Sequence, residues 1–164
     1  MVTTLVVAAG LAGCGGEDFP SYPNSKACGV SAKRVQAVVG TDHYKTQTKG
    51  DALPPTSSPL FSCSVNLADH PNVLIVTARL RSFDKVATAK KQIAASDEKF
   101  TVGAGHAGIE VIGDAFTALW VCETLDKSGT MTASVDGGHV GASAAERRAL
   151  VTAVAEKAGA GCEG

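Results

Sequence analysis

Phe61-Ser62-Cys63-Ser64-Val65-Asn66-Leu67, then Ala68-Asp69-His70-Pro71-Asn72, then Val73-Leu74-Ile75-Val76-Thr77-Ala78-Arg79-Leu80, is the stretch that decides the fold class. In its first part apolar residues at 61, 63, 65 and 67 alternate with polar ones at 62, 64 and 66, the period-two pattern of a strand buried on one face. The middle part carries turn residues. The third is apolar and β-branched at successive positions, as in a strand buried more completely. Strand, short turn and returning strand form an antiparallel pair.

Helical patterns flank this hairpin. Ser31 is placed to cap a short helix in which Val35, Val38 and Val39 share a face, and Gly40 ends it. Asp84 is expected to cap a second helix running to about Ser96, with Val86, Ala89, Lys90 and Ile93 as its inward stripe. A Gly-rich connection leads into Ile109-Glu110-Val111-Ile112. Phe116 to Glu123 then reads as a strand, Asp126-Lys127-Ser128-Gly129 as a turn, and Thr130 to Val135 as its partner. Ser143 and Glu146 make a capping box for the strongest helix, with Leu150, Val151, Val154 and Ala158 on one face and Gly159 after its end. Residues 41–59 read as a long, polar, Pro-containing loop, and loops of that length are usually functional or disordered. Asp42, His43 and Tyr44 are therefore candidate binding residues. The expected fold is α+β: an antiparallel sheet built from hairpins with packed helices, in the order α-ββ-α-β(β)β-α. Each hairpin begins near a cysteine and is followed by a helix, which suggests two related halves.

Leu11-Ala12-Gly13-Cys14 closes the uncharged run Leu5-Val6-Val7-Ala8-Ala9-Gly10 and is followed by Gly15-Gly16-Glu17-Asp18. An apolar segment, small residues, one cysteine and then a polar stretch resemble the lipobox of bacterial lipoprotein signal peptides. In that family the cysteine is diacylated on sulfur and becomes the N-terminus after the preceding peptide is removed. The resemblance implies a signal peptide over residues 1–13, lipidation of Cys14, a tether over 14–27 and one extracytoplasmic α+β domain over 28–164. A secretory signal opens with positive charge. No Lys or Arg precedes Lys26, so the true start is expected upstream of Met1. The alternative, that residues 1–13 form a buried strand or helix, lacks any helical or alternating period. The apolar run is shorter than the roughly 20 residues of a spanning helix, so the lipid would anchor the chain without its crossing the membrane. Two or more acyl chains give stable anchoring.

Five cysteines leave an odd one in a secreted protein. Assigning Cys14 to lipid leaves Cys28, Cys63, Cys122 and Cys162 for disulfides, in keeping with an oxidising compartment. Four cysteines permit three pairings, and sequence alone does not choose among them. Cys28–Cys63 with Cys122–Cys162 is favoured because each pair would tie a strand to the helix beside it in the chain. Zinc is disfavoured, since there is no Cys-x-x-Cys and no His-x-x-x-His. A net charge of −1 argues against a nucleic-acid partner. With aromatic residues at 5%, stacking surfaces are scarce.

No motif points to catalysis. Gly103-Ala104-Gly105-His106-Ala107-Gly108 spells the dinucleotide fingerprint, which requires a strand before it and a helix after it. Here a helical pattern precedes and a strand-like one follows, so a flexible loop is expected and no cofactor. His43, His70, His106 and His139 fall in expected loops, where solvated side chains are the simplest reading and a metal site the rarer one. No Gly-x-Ser-x-Gly elbow is present. Lys90-Lys91 and Arg147-Arg148 read as outer helix faces, and Trp120 as core.

The lipobox and tether, Cys28-Gly29-Val30-Ser31 leading to Val39-Gly40, Cys63-Ser64-Val65, and Ile112-Gly113-Asp114-Ala115-Phe116 together resemble small cell-envelope lipoproteins of actinobacteria. Members of that family mostly lack a known activity, so the resemblance implies location and fold type. The expectation is a non-catalytic binding or accessory domain, lipid-anchored on the extracytoplasmic face of the cell membrane, meeting a protein or envelope component. The alternatives are a small-ligand carrier with a pocket between sheet and helices, and an envelope hydrolase.

Overall fold

The structure, a computed structural model, describes residues 26–50, 53, 60–81, 86–123, 130–138 and 141–162. The expected signal peptide, Cys14 and the tether up to residue 25 lie outside these, as do Asp84, the 126–129 turn and His139. Lys26 and Ala27, assigned to the tether from sequence, belong to the domain. They form β1 (Lys26–Ala27), which pairs with β2 (Val30–Ser31) through a turn with Cys28 at φ 50° and Gly29 at φ 80°.

The chain continues through α1 (Ala32–Val39), β3 (Lys45–Lys49), β4 (Leu60–Asn66), β5 (Leu74–Arg81), α2 (Val86–Ala95), β6 (Glu98–Val102), β7 (Gly105–Ile112), β8 (Ala115–Glu123), β9 (Thr130–Gly137) and α3 (Ala144–Ala158), with a 3-10 turn at Gly159–Gly161. The fold is α+β, as expected. β3 to β9 form one antiparallel sheet in the order β3-β4-β5-β9-β8-β7-β6. That order is palindromic about β9. Outward from it lie two runs of the same make, α1-β3-β4-β5 and α2-β6-β7-β8. The halves expected as a hairpin followed by a helix are replaced by two runs of a helix followed by a three-stranded meander, with β9 and α3 outside both.

Strand alternation gives the sheet two faces. On the first, Cys63, Val76, Val135, Ala118 and Ile109 are buried together with Val35 and Val38 of α1 and Leu150 and Val154 of α3. Arg34 Nη1 of α1 donates to the Ala149 carbonyl of α3 at 2.6 Å, joining the two helices of that layer. On the second face α2 lies over β7 and β8, with Ala89 and Ile93 packed on Leu119 and Val121. The halves thus carry their leading helices on opposite faces. α3 completes the first layer; over β4, β5 and β9 the second face has no helix among the described residues.

Several local expectations are corrected. Residues 41–59 are not all loop, because β3 occupies Lys45–Lys49 and pairs with β4. Its sequence, Lys-Thr-Gln-Thr-Lys, has no apolar residue; β-branched threonines suit a strand, and lysines suit an exposed edge by blocking further pairing. The Gly-rich stretch is a hairpin, not a flexible loop: Gly103 at φ 56° turns β6 into β7, which contains Gly105 to Gly108. Ser31 stands at the N-cap of α1 but makes no capping side-chain bond. Lys90 points outward and pairs with Glu123 at 3.5 Å instead of joining the inward stripe of α2. The α3 capping box forms as expected, and the two hydrogen bonds from Ser143 hold the Glu146 carboxyl below the usual carboxylate range. Arg147 and Arg148 are more than solvated charges. Arg148 lies 4.6 Å over the Phe100 ring and bonds Glu98 at 2.8 Å, fastening α3 to β6.

Candidate functional site

The four cysteines expected in disulfides lie in two pairs. Cys28 and Cys63 have Cα atoms 5.3 Å apart, and Cys122 and Cys162 6.2 Å apart, within the span a disulfide bridges. The first ties the β1–β2 turn to β4; the second ties β8 to the segment after α3. The Asp42-His43-Tyr44 candidate is divided. His43 is exposed and the half-buried Asp42 approaches it to 3.4 Å, but Tyr44 is fully buried in the main core. Its ring is a core contact of the segment entering β3, so it offers nothing to a partner. His70 is exposed in the β4–β5 turn, and His106 stands on β7 rather than in a loop. Trp120 is core, with its indole Nε1 donating to the Val102 carbonyl at 3.3 Å. Among the described residues no three His, Cys, Asp or Glu side chains converge on a metal-sized site.

What the structure does bring together is a groove of about 380 Å³ on the second face, between α2 and the central strands. Its floor is Thr77 and Arg79 of β5, Thr132, Ser134 and Asp136 of β9, and Leu119 of β8; its wall is Thr88, Ala89 and Gln92 of α2. The ladder fixes the layout. Arg79 is registered with Thr132, and Thr77 with Ser134, so hydroxyls fill the middle of the floor. Asp136 lies four residues from Thr132 along β9, about 13 Å at the rise of an extended strand. The Arg79 guanidinium has no ion-pair partner among the described residues; its carbonyl accepts from Thr132 Oγ1 at 3.3 Å.

Burial pushes the Asp136 carboxyl up from its ordinary value of 3.8, opposed by a hydrogen bond from Thr117 across the ladder. A raised carboxyl pKa makes the native state the better proton binder, so this group's contribution to stability is full below pH 3.8 and lost as pH rises through the raised value. Asp136→Asn should therefore raise the melting temperature near neutral pH, with the gain vanishing below about pH 3.8. Thermal scans from pH 3 to 8 would show it, and a pH-independent difference would contradict it.

The glycines of the fingerprint-like hexapeptide explain how α2 is seated. A Cβ at Gly108 would meet the Ser96 side chain and lie 3.0 Å from the Ile93 Cα, so only glycine lets the end of α2 approach β7 this closely. Gly105 lies beneath the Trp120 indole. The motif thus separates into a turn, a ring seat and a helix seat. Gly108→Val should lift α2 and cost about 1–3 kcal/mol by overpacking. Chemical denaturation together with amide shifts at Thr88 and Gln92 measures both effects, and unchanged shifts would contradict the seat.

No family model, no curated protein and no solved structure matches this chain.

None of the polar groove residues stands out in the sequence as a site residue. Thr77, Thr132 and Ser134 look there like the polar half of strand alternation, and nothing local shows which polar face a helix walls. Among the described residues no helix is long and apolar enough to cross a membrane.

Proposed function

We propose that this chain is a lipid-anchored extracytoplasmic binding domain, held to the membrane through acyl chains on Cys14, whose recognition site is the groove between α2 and strands β5, β9 and β8. The groove carries the reading. It is several hundred cubic ångströms in volume, in the range of small-molecule sites, and it gathers polar side chains around an Arg79 that the described residues leave without an ion pair. This favours a small envelope ligand over a flat protein-docking face. Binding rather than catalysis follows from the titratable groups. Among the described residues the groove's only ionisable side chains are Arg79 and Asp136, and they stand toward opposite ends of its floor, since Arg79 is registered with Thr132, four residues along β9 from Asp136.

The anchor rests on the Leu11 to Cys14 stretch and the odd cysteine it accounts for. Cys14→Ser should move the protein from the membrane to the soluble fraction of cells, and continued membrane fractionation would refute the anchor. The groove is tested by a photo-cross-linker at Gln92 in intact cells, with one at exposed Lys33 of α1 as control. Adducts of an envelope molecule from Gln92 alone are expected; equal adducts from both positions, or none, would refute the site.

A further inference from the structure

The groove has a chemical signature narrow enough to name what it takes. We infer that its ligand is a small polyhydroxylated anion, a sugar bearing a carboxylate or phosphate, with the anionic group on Arg79. This rests on the groove being the binding site. β5, β9 and β8 are interior strands whose backbone donors and acceptors are directed into the ladder, so the floor reads a ligand through side chains alone. An extended peptide would need an open strand edge, and the floor has none. An apolar ligand would find only Ala89 and Leu119. The other lining groups, Thr77, Ser134, Thr88 and Gln92, both donate and accept, as sugar hydroxyls do.

Arg79 adds the charge. Its planar fork matches a carboxylate or phosphate in two parallel hydrogen bonds. No aromatic ring lines the groove among the described residues, so stacking adds nothing, and a neutral sugar would lack the interaction that sets affinity. Asp136 at the far end repels an anion and accepts from a ligand hydroxyl, which fixes the orientation.

The test uses the full chain carrying Cys14→Ser, labelled for amide NMR and titrated with glucuronate, glucose 6-phosphate, glucose and inorganic phosphate. Glucuronate or glucose 6-phosphate should shift the amides of Thr77, Arg79, Thr132 and Ser134, the arm that binds tighter identifying the anionic group. Glucose and inorganic phosphate should each bind at least about tenfold more weakly, one lacking charge and the other hydroxyls. Arg79→Gln, an exposed position whose replacement leaves the core intact, should weaken the charged sugars by about tenfold at an unchanged melting temperature. Equal binding of glucose and glucuronate, or an Arg79→Gln chain of undiminished affinity, overturns the inference. If no probe binds while Gln92 still cross-links in cells, the anionic-sugar inference falls and the groove stands; if neither occurs, both fall.

Discussion

Trp120→Ala should cost about 3–5 kcal/mol, the range for removing a large buried aromatic side chain. That is a large share of the roughly 5–15 kcal/mol that stabilises a domain. Trp120 is 2% exposed at the centre of β8, and it meets three elements at once. Its Nε1 bonds the Val102 carbonyl of β6, its ring covers Gly105 of β7, and its far edge lies 3.0 Å from where a Cβ on Gly159, just past α3, would stand. Truncation leaves a cavity beneath the end of α3 and removes the indole hydrogen bond to β6. The reciprocal change, Gly105→Val, drives a side chain into the indole and should destabilise by a similar route, strain replacing the void. Urea unfolding followed by Trp120 fluorescence, or by circular dichroism for the alanine variant, measures both. A loss below about 1 kcal/mol for Trp120→Ala would mean that the ring is not a keystone of this core.

Removing the Cys122–Cys162 bridge by a double substitution to alanine should cost about 4 kcal/mol from loop-closure entropy across its 40-residue separation. The Cys28–Cys63 bridge, with a separation of 35, should cost nearly the same. The two losses should differ in place. Without Cys122–Cys162 the 3-10 turn after α3 loses its tether to β8, and amide exchange should rise there first. Without Cys28–Cys63 the β1–β2 hairpin loses its link to β4. Non-reducing peptide mapping should recover these two pairs, and a Cys28–Cys122 peptide would contradict the connectivity.

How much of this was legible in the sequence depends on how local the deciding interaction is. β4 and β5 are plain because each carries its burial pattern within the strand. α3 is plain because its capping box and apolar stripe are both local. β3 and β6 are not. β3 is a polar edge strand that exists because β4 offers it a ladder. β6 sits at the opposite edge, holding Phe100 and Val102 against β7 after a helix crosses the sheet. Tyr44 is not legible as core because it follows the polar Asp42 and His43, while its own ring turns inward as the chain enters β3.

The candidate site was the least legible part. The groove draws on β5, β8, β9 and α2, and its boundary is set where α2 stops covering the sheet. That position depends on Gly108, which in sequence belongs to a motif suggesting phosphate binding and in space is a contact between helix and strand.

Sequence by itself determined the β4–β5 and β8–β9 hairpins, the three helices, the α+β class, and a set of four cysteines that joins in two pairs. Each of these is a local periodicity or a small count. The expectation of acylation at Cys14 is likewise read from sequence alone. Only the tertiary structure decided the palindromic strand order, the crossing of α2 to the second face, and the placing of Arg79, Thr77, Ser134 and Asp136 in one groove. Those outcomes depend on which strands meet across long stretches of chain. Closing such contacts costs chain entropy that no short segment records, and packing over the whole core is what offsets it.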